Sequence, residues 1–125
     1  MDRTTNAERR AAEVLVGTLE EMLTELAATT GDGDVAWLRP LAVLSAEIEY
    51  SGVRSPQADA INLALGCREL SHLLVGSPGD GGEFASAYAT ARRASPAIAA
   101  LHDRALAACR TLMARHAPAG WTRDA

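Results

Sequence analysis

Residues 5–29, TNAERRAAEVLVGTLEEMLTELAAT, decide the fold class of this chain. Ala12, Leu15, Leu19, Met22 and Leu26 recur in steps of three and four, the interval that returns a side chain to one helix face. Val16 and Leu23 widen that seam into a stripe broad enough to face a core, while Glu13, Glu20 and Glu21 fall outside it. Thr5 and Glu8 fit a capping box, the hydroxyl accepting from a first-turn amide and the carboxylate reaching back. The helix should stop near Thr29, because Gly31-Asp32-Gly33-Asp34 has the composition of a loop.

The same periodicity returns downstream. Trp37, Leu41, Leu44 and Ile48 share one face of a second helix, which should end at Ser51-Gly52. Pro40 either sits in its first turn, where the missing amide costs little, or follows a short turn capped by Asp34. Ser55-Pro56 opens a third helix with a cap residue and an N-terminal proline. A fourth spans Glu83 to Ala94 after the helix-breaking run Gly76 to Gly82. Ser95-Pro96 repeats the cap-plus-proline signal ahead of Ile98, Leu101, Ala105, Cys109 and Leu112, so a new helix starts there or a long one kinks. No segment alternates with period two for long enough to make a strand. The expectation is an all-α, single-domain helical bundle of four to five helices over about 6–29, 38–51, 56–75, 83–94 and 96–116, the last two separate or one kinked helix. The tail around Trp121 should be irregular.

Composition agrees with helix on helix. The chain has 125 residues, of which 48% are hydrophobic and only five are aromatic, so the interior must be mostly aliphatic. Its twelve basic residues are all arginine, and the net charge of −4 argues against a protein that coats nucleic acid. Residues 1–60 hold eleven acids against five arginines, and residues 61–125 hold five against seven. The first half can therefore attract the second, within one chain or between two copies. The polar N-terminus has no apolar core of a signal peptide, and no apolar run nears the roughly 20 residues that span a bilayer. A soluble, cytoplasmic setting is expected, without membrane contact.

The third helix carries the functional argument. Leu63, Cys67, Leu70 and Leu74 form one apolar line, and Ile61, Leu65 and His72 another on the opposite side, beside Arg68 and Glu69. A helix apolar on two faces needs cover on two faces, so it is either the domain's central helix or half of a subunit interface. Ile61, Leu65, Arg68, Glu69 and His72 are the expected interface residues.

No complete catalytic set emerges, and neither a cofactor nor a metal is expected. Glu69-x-x-His72 places two ligand types on one helix face, but a di-iron bundle needs a second such pair, which the chain lacks. His102, Cys109 and His116 lie on one line at seven-residue steps, roughly 10 Å apart and too far to share one ion. Cys67 and Cys109 would face each other if their helices pack side by side, though neither has an activating base nearby. Gly79-Asp80-Gly81-Gly82 precedes a helix but lacks the lysine and glycine spacing of a phosphate loop. Arg93, Arg104 and Arg115 recur every eleven residues, one stripe if the last two helices run continuously, and it suits solvent or an acidic protein surface better than DNA.

The expected function is a small non-catalytic interaction protein, homodimeric, that acts by binding another protein. The alternative is a bundle that binds a small molecule or metal, a minor enzyme included, with Glu47, Tyr50, Glu69, His72 and His102 as its polar lining.

Overall fold

Gly31 ends the first helix. It adopts φ +66°, a left-handed conformation that glycine enters without penalty, and its N–H donates to the carbonyl of Ala28. The computed structural model describes residues 6–31, 33, 35–54, 60–76 and 82–116. The cap at Thr5, the turn residue Asp34, the Ser55-Pro56 opening, the centre of the Gly76–Gly82 loop and the Trp121 tail lie outside those residues.

Among the described residues there are five α-helices and no strand. They are α1 (Asn6–Thr30), α2 (Arg39–Glu49), α3 (Ala60–Val75), α4 (Gly82–Ala94) and α5 (Pro96–His116). The all-α expectation is met. In α1 the predicted stripe is the buried one, with Ala12, Leu15, Leu19, Met22 and Leu26 fully enclosed, Val16 nearly so and Leu23 half-buried at its edge. Each such leucine contributes about 1.5–3 kcal/mol by leaving water. The hydroxyls of Thr29 and Thr30 both donate to the Leu26 carbonyl, satisfying an acceptor where the helix runs out.

Both readings of Pro40 hold in part. A 3-10 turn, Ala36–Leu38, precedes α2, and Pro40 lies in the first turn of α2 itself. Trp37 therefore belongs to that turn rather than to α2. Leu41, Ser45 and Ile48 form the buried face of α2. The chain does not stop at Ser51-Gly52: it continues as a widened π-helical turn, Tyr50–Arg54, in which Gly52 is buried. A Cβ on Gly52 would lie 2.6 Å from that of Ala12, so a side chain is excluded where this turn crosses α1.

Ser95 settles the junction between the last two helices. Its hydroxyl accepts from the N–H of Ile98 and caps α5, which begins at Pro96. The two helices are separate, with one residue between them.

The packing is a closed ring. α1 lies against α2 and α5, α2 against α3, and α3 against α5, so these four enclose the core. α4 lies across the start of α5 and the 3-10 turn at one end of the ring. α3 is thus an ordinary member of a four-helix ring, not a central helix wrapped on all sides. No described helix is long and apolar enough to cross a membrane.

Candidate functional site

Position in the ring decides what each face of α3 meets. Leu63, Cys67, Leu70 and Leu74 are buried against the other helices, as their spacing predicts, and Ala64 is buried with them. The second line stays open within one chain: Ile61 is 42% exposed and Leu65 38% exposed. Glu69 and His72 are exposed beside them, and Arg68 is half-buried at the edge. The expected interface residues therefore share one outward surface.

The neighbouring helix extends that surface. Ala46, Glu47 and Tyr50 lie three, four and seven residues after Val43, so all four share an outward face of α2 and the π turn. Val43 is 47% exposed and Tyr50 65% exposed. Between the two helices runs an open groove of about 470 Å³, lined by Glu47, Tyr50, Asn62, Leu65 and Glu69 among others. Gly66 forms part of its floor, because a Cβ there would press on Ile48 at 3.1 Å. Three of the five residues named for the alternative ligand site, Glu47, Tyr50 and Glu69, meet in this groove. His72 lies on the same exposed side of α3.

His102 does not join them. It is 5% exposed, on α5, and enclosed by α4. Grouping it with Glu47 and Tyr50 is incorrect, because α5 and α2 are not neighbours in the ring. Its contacts fix its tautomer. Arg92 carries only donors, and its guanidinium lies 2.7 Å from Nε2, so Nε2 must accept. The ring proton then sits on Nδ1 and is donated to the Tyr88 hydroxyl at 2.6 Å. Tyr88, 2% exposed, directs its own hydrogen to Met22 Sδ at 3.8 Å. Burial, and then the Arg92 charge, hold His102 below the ordinary histidine range, against the pull of Asp103. Burial also pushes the Tyr88 hydroxyl up.

This chain of bonds continues a column of rings. Trp37, Phe84, Tyr88 and His102 follow one another with centroids 5.7, 5.2 and 5.6 Å apart. Trp37 also donates from its indole nitrogen to Thr30 Oγ1. Sequence reading missed the network, although Tyr88 and Arg92 are four apart and so share a face of α4.

The two cysteines do face each other across α3 and α5, both free thiols and both fully buried. Cys67 is pushed far up by its hydrogen bond to Cys109 and by burial, the opposite of an activated nucleophile. Ser71 bonds the Cys67 carbonyl and Met113 Sδ next to this pair. Among the described residues no group of three or more His, Cys, Asp or Glu side chains could hold a metal ion.

The arginine stripe needed the last two helices to run as one, and they are separated at Ser95. Arg93 and Arg104 are both exposed, Arg104 lies 4.0 Å from Glu21 of α1, and the side chain of Arg115 is outside the described residues. The acidic and basic halves thus touch within one chain, through a solvent-screened pair.

His102 is engaged inward by Tyr88 and Arg92, and the α2–α3 groove lies open on the outside. No family model matches this chain, and no match is found among curated proteins or solved structures.

Proposed function

We propose that this chain is a non-catalytic interaction protein that pairs with a second copy of itself through the α2–α3 face and, so assembled, binds another protein. One observation carries the reading. Tyr50 and Leu65, both exposed apolar side chains, line a single groove, and Val43 and Ile61 are exposed on the same two helices. Such a cluster on two adjacent helices marks an association surface more often than scattered single residues do.

A second copy suits the patch because a two-fold interface lays one surface on itself. Charged groups on such a surface pair best when both signs are present, and here Glu47 and Glu69 are exposed with Arg68 half-buried beside Glu69. Tyrosine and arginine are also the residue types that dominate such contacts. Free buried thiols suit a reducing, cytoplasmic setting.

Light scattering on the wild type and on Leu65→Glu tests the reading. The expected result is a wild-type dimer and a folded monomeric variant, its helical circular dichroism unchanged. An unfolded variant would show that Leu65 belongs to the core and would contradict the assignment.

A second reading draws on the same groove. Glu47, Tyr50 and Glu69 converge there and would suit a small cationic ligand. Stoichiometric metal or organic amine in purified protein would favour it over self-association.

A further inference from the structure

Helix α4 is attached differently from the four helices of the ring. It lies on α5 and the 3-10 turn, anchored by Phe84 and Tyr88. Its hydrogen-bonded ties to the ring are the His102 imidazole, gripped by Tyr88 and Arg92 from α4, and the weaker acceptor Met22 Sδ of α1, which faces the Tyr88 hydroxyl.

Only a neutral ring satisfies both partners. Nε2 accepts from Arg92 while Nδ1–H donates to Tyr88. An imidazolium has two donors and no acceptor. Its Nε2–H would meet a guanidinium that also can only donate, at 2.7 Å, cation against cation. The groups facing the ring are few. Arg92 is the cation from α4, and Tyr88 from α4 is neutral. Met22 of α1, behind Tyr88, carries no charge. Asp103, next to His102 on α5, is exposed, so water screens its attraction.

We propose that His102 is a pH-sensitive latch: the neutral ring holds α4 on the bundle, and its protonation releases α4. The hinge is Ser95, which caps α5 from its own hydroxyl and so leaves α5 capped when α4 departs. Departure of Phe84 and Tyr88 uncovers Trp37 and Met22, exposing apolar surface at that end of the ring.

Hydrogen exchange of the full chain between pH 7.5 and 4.5, corrected for intrinsic rates, tests this directly. Below pH about 6.5 the open population of α4 should grow by up to about tenfold per pH unit. Amides of α1 around Leu19 should stay protected. Ring 15N spectra should show the Nδ1–H tautomer at neutral pH, with titration that tracks the opening of α4. His102→Gln keeps an acceptor for Arg92 and a donor for Tyr88 without titrating, and should make α4 protection independent of pH. If that variant does not fold, Arg92→Met removes the opposing cation and should make the response shallower than in the wild type, with burial of the ring left in place. Unchanged α4 protection down to pH 4.5 overturns the proposal. So does equal loss from all five helices, or a Gln or Met variant that opens as the wild type does.

Discussion

Gly52 and Ala12 meet at a separation that leaves no room for a side chain on the glycine. The π turn that follows α2 is pinned against α1 at this point, and that contact sets where Tyr50 emerges beside α3. Gly52→Ala should lower stability by about 1–3 kcal/mol through overpacking. Urea unfolding measures it, and a loss within error of zero would show that the turn can shift freely.

Tyr88→Phe should cost about 1–3 kcal/mol at pH 7.5, because the buried Nδ1–H of His102 loses its acceptor. The ring column would be kept, so the change isolates the hydroxyl. A neutral result by thermal and urea unfolding would mean that the imidazole finds another partner.

These two sites show how far the sequence could be read. Leu15, Leu19, Met22 and Leu26 in α1, and Ile98, Leu101, Ala105 and Cys109 in α5, were assignable because helical period alone selects the buried face. The meeting of Cys67 with Cys109 needed only the further condition that α3 and α5 pack together. The π turn was not legible, since its cause is the approach of Gly52 to Ala12 forty residues away. The His102 network was hidden for a similar reason: its members come from α1, α4 and α5, and spacing along one helix cannot pair them. The outward residues of α3 were legible as a group, but their shared groove with Glu47 and Tyr50 depends on α2 and α3 being neighbours in the ring.

Global stability should fall in mild acid. His102 is held below its unfolded value, so between the two values the unfolded chain binds a proton that the folded chain refuses. The contribution is greatest above pH about 6.5 and declines as pH falls below it. Urea midpoints at pH 7.5, 6.0 and 5.0 should decrease in that order for the wild type. The His102→Gln series should fall less steeply, and equal slopes would remove His102 as the cause.

Both thiols should resist modification in the folded protein. Cys67 and Cys109 are fully buried, and Cys67 is driven away from the thiolate. A thiol reagent at pH 8 should react slowly with native protein and rapidly with two groups per chain in denaturant. Fast native reaction would place one of them at the surface.

The most direct test of the central claim is the mass of the untagged chain in solution at micromolar concentration. Self-association through the α2–α3 face predicts a particle twice the 13.1 kDa of one chain, halved on dilution or by Leu65→Glu. A wild-type particle of one chain's mass at every concentration reached would contradict it.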